Sequence, residues 1–573
     1  MPNLLAMSFE GRVAPAFQLT GTQTQGPLAT RRPPDGWGVA FYPGPEPAAT
    51  VLREHTPPGD QGEQIWPHLA SGVVVVHLRQ AQWGPLTPAN TQPFLRSHAG
   101  RDWVFAHAGT LDVPPAVAPG SVFEPVGSTD SERVFCWLMN LIAAEKWKKI
   151  ADFDLGRLLA WLQEQDTHGG LCLTLTDGID LLAYADAQAE GQLWLWPRFP
   201  PYNGRSFGDA DLTVDLFRRG MSSQRGLLVC SEPLAQVGEG ERWQPMAAGE
   251  LIVAREGMIR AQWGGEGRAP TRVFSRPRLV EAALPRTLRV LHHTRYVYDQ
   301  PVERSIHLLR LTPTTDRLQR LLHHELRVSV DGRWRDFDDV FGNRARRLVL
   351  EQTWQALTIE AESVVEVTDT DPLHYRPLRA RTHFPLVWLP AQTQVLLPFL
   401  APPELPESQL LTLTDYAMSF VRRNDADLLE TLLDINWTLF REYQYEQGTT
   451  TVHTSAWETF LTRRGVCQDF TNLFIVLARL LGIPARYVCG YLYLGPGSEN
   501  RAQAAASHAW VQLFLPELGW TGFDPTNGVL TRTDHVRVAV GRNAMDTTPT
   551  SGTLYVGGGA ETLEALVRVE QVG

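Results

Sequence analysis

The segment from Arg464 to Pro484, RGVCQDFTNLFIVLARLLGIP, constrains the fold of this chain more than any other. Phe470, Leu473, Phe474, Leu477, Leu480 and Leu481 recur at the three- and four-residue spacing of a helix with one apolar face. Gly482 followed by Pro484 is a stop signal. Gly465, just ahead of the helix, permits an unusual backbone there. Cys467 therefore falls at the helix N-terminus, where unpaired N–H groups and the macrodipole favour a thiolate. The same N–H groups can receive an oxyanion. An isolated cysteine is ordinarily a buried structural residue; this position argues against that.

Downstream, Ala506 to Leu515 alternates as a strand, PELG is a turn, and Gly519 to Asp524 returns. A register with Asp524 opposite Trp510 sets it diagonally beside His508 on one face. A slip by one residue separates them, and the sequence leaves both registers open. On a shared face His508 can take the proton of Cys467 while Asp524 holds the imidazole's tautomer and orientation. Taken singly, His508 reads as a core histidine and Asp524-Pro-Thr-Asn-Gly528 as a turn.

At 573 residues the chain is too long for one core. A composition 43% hydrophobic and 20% charged is that of folded protein, and a net charge of −11 gives no reason to expect nucleic acid or anionic membrane as a partner. The opening MPNLLAMSFEGRVAP carries Glu10 where a secretion signal needs an apolar run, and the apolar stretches 72–78 and 395–400 are too short to span a bilayer. Five cysteines form no CxxC pair and no metal-ligand spacing. The expectation is a reduced, cytoplasmic protein without disulfides, metal or cofactor.

Composition breaks suggest a multidomain α+β chain. Residues 1–263 carry short apolar runs between Gly and Pro clusters, with helices expected over 130–149 and 154–165. A Gly-, Pro- and Arg-rich linker follows at 264–287. A small all-β module occupies 288–370, with strands at 288–298, 323–330 and 356–367. Residues 371–409 read as a proline-rich, non-helical connector, and 410–573 as an α+β domain. The pairs His292-His293 and His323-His324 have no partnering ligand spacing and read as structural, and no phosphate-binding loop occurs.

GVCQDF, LGIPARYVCGYL, SHAWV and GWTGFDPTNG resemble the bacterial branch of the transglutaminase-like superfamily, over roughly 410–540. The resemblance implies a papain-like α+β fold and a catalytic triad of Cys467, His508 and Asp524. The implied chemistry is thiol attack on an amide or ester carbonyl of a peptide, protein or glutamine side chain, then resolution of the thioester by water or an amine acceptor. LHHTRYVYDQPVERSIHLLRLTP is similar to the amino-terminal module of that branch. Trp437 and Tyr443 are upstream candidates for a second oxyanion donor, though each reads more readily as a core aromatic.

The first domain resembles the class II glutamine amidotransferases through DGWGVAF (35–41), VHLR (76–79), NTQPF (90–94), FAHAGTL (105–111), GSTDSE (127–132) and SEPL (231–234). That implies a four-layer αββα N-terminal-nucleophile hydrolase fold. Arg79, Gly109 and Asp130 fall where the family holds glutamine. The catalytic positions depart from the family: Pro2 stands in place of its cysteine, and Ala108 in place of its oxyanion asparagine. Losing such a donor alone costs about 100- to 1,000-fold in rate. The expectation is a non-catalytic binding module, with a Pro2 secondary amine as the route to residual chemistry. Rival readings are a non-enzymatic scaffold and a glutamine-dependent amidotransferase with an unusual N-terminus.

Overall fold

A computed structural model describes residues 4–13, 16–19, 34–56, 69–81, 84–188, 192–198, 206–208, 212–215, 225–233, 243–264, 284–368, 382–448, 454–495 and 507–572. The chain divides into two compact units, Met1–Ser275 and Arg276–Gly573. The expected linker lies almost wholly outside the described residues, and Pro2 lies outside them.

The first unit is built on two antiparallel sheets. In the seven-stranded sheet, β1 (Leu4–Val13) and β2 (Ser71–Arg79) are neighbours near the centre. In the six-stranded sheet, β3 (Arg101–Ala108) is second from one edge. Both strand sets read as continuous apolar runs because both faces are buried. Leu4, Ala6, Val73 and Val75 meet Val104, Ala106, Leu181 and Ala183 between the sheets. Outside the six-stranded sheet lie α1 (Asp130–Ala144) and α2 (Leu155–Asp166), capped by the Thr129 and Asp154 side chains. Phe135, Leu138, Leu158 and Leu162 carry those helices onto Phe105, Leu175 and Leu182. The opposite face of the seven-stranded sheet is buried as well, through Met7, Phe9, Val39 and Trp196, but no described helix contributes to that cluster. Three of the four expected layers are thus described.

The second unit opens on β4 (Arg286–Leu309), a strand of 24 residues. Its first half pairs with β5 (Trp354–Val367), and its second half with Arg344–Leu350. The strands at 333–338 and 344–350 escape the sequence reading because their charged residues interrupt the alternation. The expected non-helical connector contains a helix, α3 (Pro390–Leu400). Pro390 stands at a first-turn position, where a missing N–H costs nothing, and Pro398 falls in the final turn, so proline here delimits a helix instead of forbidding one.

Then come α4 (Glu407–Arg423), α5 (Leu428–Glu442), α6 (Ala456–Thr462) and α7 (Cys467–Leu480). α7 is more deeply enclosed than a one-faced helix: Ile475 and Val476 are buried along with Phe470, Leu473, Phe474 and Leu477. It lies between α4–α6 and the sheet formed by β6 (Ala485–Leu492), β7 (His508–Leu515), β8 (Gly519–Asp524) and β9 (His535–Gly541). From the outer edge inward along the sheet, the order is Val529–Leu530, β8, β7, β6, β9.

The span 410–573 does not end as a free-standing domain. β10 (Thr550–Gly557) and β11 (Glu561–Gln571) return to pair along the other edge of β4. Leu288, Val290, Val365 and Val367 share a core with Tyr491, Val536 and Val538, so the β module and the sheet of β6–β9 are one packed body.

Candidate active site

Cys467 is the first residue of α7, and of the five cysteines it alone is not buried. Its turn is set by Asp469, whose carboxylate accepts from the Val466 N–H at 2.8 Å. Gly465 is required for a different reason from the expected one. A Cβ there would meet Asp469 Cβ and Oδ2 at 2.7 Å, so glycine provides close approach. The unusual backbone belongs to Arg463 (φ 55°), whose guanidinium lies over Tyr443 and donates to the Tyr416 hydroxyl at 3.0 Å.

The hairpin register sets Val511 opposite Phe523, which brings Asp524 level with Trp510 and onto the His508 face. His508 and Asp524 are both buried, with Nε2 of the imidazole 2.9 Å from Asp524 Oδ2. The sulfur of Cys467 lies close enough to the same imidazole to favour its charged form. Burial opposes charge on His508, but the Asp524 carboxylate and the Cys467 sulfur prevail and raise it to about 10. Burial likewise opposes charge on Asp524, and His508 and His535 overcome it, holding the carboxyl well below its ordinary range. By contrast, burial pushes the Cys172 and Cys489 thiols up to about 12, as expected of structural cysteines.

Three residues of this neighbourhood were missed in the sequence. Asn527 donates to Asp524 Oδ2 at 2.7 Å, and the Thr526 and Asn527 N–H groups donate to Oδ1. The turn reading of DPTNG was sound but concealed this second task. His535, buried at the start of β9, places Nε2 3.2 Å from Asp524 Oδ2 and Nδ1 2.7 Å from Asp534 Oδ1. Its only signal was an Asp-His pair opening an apolar strand. Tyr445 pairs with Gly465 in a short parallel ladder, edges onto Phe470, and feels the charge of the Cys467 sulfur while remaining part-exposed. Of the expected oxyanion candidates, Tyr443 is a core residue packed on Phe470, and Trp437 is exposed against Phe440 and Arg441.

β9 is braced by the β module. Gln319 exchanges two hydrogen bonds with the Arg537 backbone, Asn343 does the same with Val540, and Asp316 takes the Arg537 guanidinium at 2.6 and 2.7 Å. Among the described residues, the ligand atoms of His508, Asp524 and His535 lie within 4.8 Å of one another. Their mutual hydrogen bonds account for that spacing.

In the first unit, Arg79, Gly109, Asp130 and Ala108 line one cavity of about 280 Å³ with His77, Gln92 and His107. Asp130 accepts from the Leu111 N–H at 2.9 Å, and Arg79 donates to the Pro85 carbonyl at 3.2 Å. Gly109 (φ 146°) lies so close to the Gly170 carbonyl that a Cβ would fall 2.1 Å from its oxygen. The residues expected to hold glutamine therefore converge, and Ala108 brings no amide to them.

Family models match in the order that the two sites suggest. Residues 1–274 match glutamine amidotransferases class-II, 288–366 the bacterial transglutaminase-like N-terminal region, and 414–525 the transglutaminase-like superfamily. The chain belongs to the class-II glutamine amidotransferases at one end and to the transglutaminase-like superfamily at the other. A Mycobacterium tuberculosis protein described as uncharacterized is 31% identical over 299 residues, covering 49% of this chain and 91% of its own. YafJ of Escherichia coli, provisionally named a glutamine amidotransferase, is 29% identical over 44% of this chain and 96% of its own. A provisionally named cysteine protease from Cytophaga hutchinsonii is similar in structure at 22% identity, covering 51% of this chain and 92% of that one, with a TM-score of 0.41. Membership of the transglutaminase-like superfamily places the second unit in a thiol-enzyme family. No described helix is long and apolar enough to cross a membrane.

Proposed function

We propose that the second unit is a thiol acyl-transfer enzyme acting on amides of peptides or glutamine side chains. The observation that carries this reading is a part-exposed cysteine at a helix N-terminus, beside a buried histidine that Asp524 holds from behind. The Cys467 thiol proton passes to His508, the sulfur's electron pair forms a bond to the carbonyl carbon, and the C=O π pair moves to oxygen. The Cys467 N–H at the head of α7 receives that oxyanion. Collapse expels the amine, which leaves with the proton held by His508, and a thioester remains. Water or an acceptor amine then gives a proton to His508 and releases the acyl group, restoring the sulfur. Asp524 stays ionised throughout and keeps the His508 tautomer.

The first unit, in this proposal, is a non-catalytic module for a glutamyl-type side chain, since Arg79 and Asp130 line its cavity while Ala108 supplies no oxyanion donor. Deleting residues 1–275 without loss of substrate affinity would remove that part of the idea.

The decisive experiment is the pH dependence of Cys467 alkylation by iodoacetamide, followed by peptide mass spectrometry. Rapid labelling well below the free-thiol value of about 8.5, lost in His508→Ala, is the expected result. Labelling that titrates like a free thiol in both proteins would leave the scaffold reading standing instead.

A further inference from the structure

The hydrogen bonds of Asp524 do not stop at His508. We propose that His535 is a second, permanently protonated imidazolium that positions Asp524, making a five-residue array that runs Cys467–His508–Asp524–His535–Asp534. It rests on the reading that Cys467 is the nucleophile and His508 its proton partner.

Donor accounting carries the inference. Nε2 of His535 lies 3.2 Å from Asp524 Oδ2, and Nδ1 lies 2.7 Å from Asp534 Oδ1. Both neighbours are carboxylates, which only accept. A neutral imidazole has a single N–H, so one contact would set a lone pair against an anion. Both contacts are attractive together only when both nitrogens carry protons. Of the other groups around His535, Trp510 of β7 presents its ring at 5.1 Å, Leu492 of β6 stands opposite in the ladder, and His508, a like charge, lies beyond at 6.3 Å, farther than either carboxylate. Burial opposes the charge, and the two carboxylates outweigh it and raise the imidazole above its ordinary value.

The arrangement has a consequence for Asp524. This carboxylate is fully buried and faces two cations, the Asn527 amide and two backbone N–H groups. It is therefore held rigidly where His508 needs it, and His535 anchors it to β9, the strand that the β module braces. Asp534, with its side chain 37% exposed, ends the array at the surface.

Two measurements on the full chain test this. In the first, histidine Cε1–Hε1 resonances are followed by NMR against pH, with His535 identified by its absence in His535→Gln. His535 should remain an imidazolium at pH 8, above the free value of about 6.5, and Asp534→Asn should lower its titration by about one unit or more. A neutral His535 at pH 8, or a titration unmoved in Asp534→Asn, overturns the proposal. In the second, iodoacetamide labelling of Cys467 at pH 7 should slow on the order of tenfold in His535→Ala. His535→Gln, which retains an N–H for Asp524, should restore most of it. Unchanged labelling in His535→Ala also overturns it. If wild-type Cys467 labels only as a free thiol, the nucleophile reading fails, and the NMR result still reports on His535 independently.

Discussion

Single residues make up the candidate site, and they differ in how visible they were. Cys467, His508 and Asp524 could be read from the sequence because each stands at a distinctive junction: a helix start, a strand start and a strand end. His535 and Tyr445 could not, since their roles come from neighbours remote in sequence. Tyr445 yields a sharp prediction. Among tyrosines near the Cys467 sulfur, Tyr487 is buried, whereas Tyr445 is part-exposed and can meet a substrate oxygen. Tyr445→Phe should leave iodoacetamide labelling intact, because displacement at a saturated carbon makes no oxyanion. Acylation by p-nitrophenyl acetate should fall about 100- to 1,000-fold; equal effects on both reactions would mean a merely structural tyrosine. A second prediction concerns pH. His508 is raised to about 10, so its contribution to stability is complete below the ordinary imidazole range and is lost as pH rises through about 10. Asp524 is depressed, so its contribution is present above the ordinary carboxyl range and is lost only in strong acid. Thermal melts of the wild type should weaken as pH rises from about 6.5 to about 10, and a His508→Gln variant should lack that decline.

At the scale of elements, the periodic segments were legible and the irregular ones were not. α7, β7 and β8 follow their hydrophobic periods, and α1 and α2 fall where they were expected, with α1 ending five residues earlier than its reading. The α3 helix was hidden by prolines whose positions within a helix the composition does not reveal. The strands at 333–338 were hidden by an exposed, charged surface. Close approaches are equally invisible from composition. A Cβ on Gly490, opposite His508, would come 2.1 Å from the Val536 carbonyl oxygen and 2.5 Å from the Trp510 ring. Gly490→Ala should therefore force β6, β7 and β9 apart, at a cost of about 1–3 kcal/mol. A lowered thermal midpoint together with slower Cys467 labelling is the expected result, and an unaltered midpoint would mean that the sheet gives way freely.

For the whole molecule, composition suggested a module, a connector and a catalytic domain in series, whereas the second unit is a single body closed by its own last strands. Strand pairing across hundreds of residues leaves no compositional trace, so that closure could not be read in advance. Residues 276–573 produced alone should label at Cys467 like the full chain, because they form a separate compact unit. Ending the chain before Thr550 should instead abolish cooperative unfolding of this unit, read by calorimetry, since β4 would lose the partners along one edge. The closure also links remote parts of this unit to its site. β11 lies along β4, and Leu288 and Val290 of β4 share a core with Val536 and Val538 of β9. A disturbance of β11 would therefore travel through that core to the strand on which His535 stands.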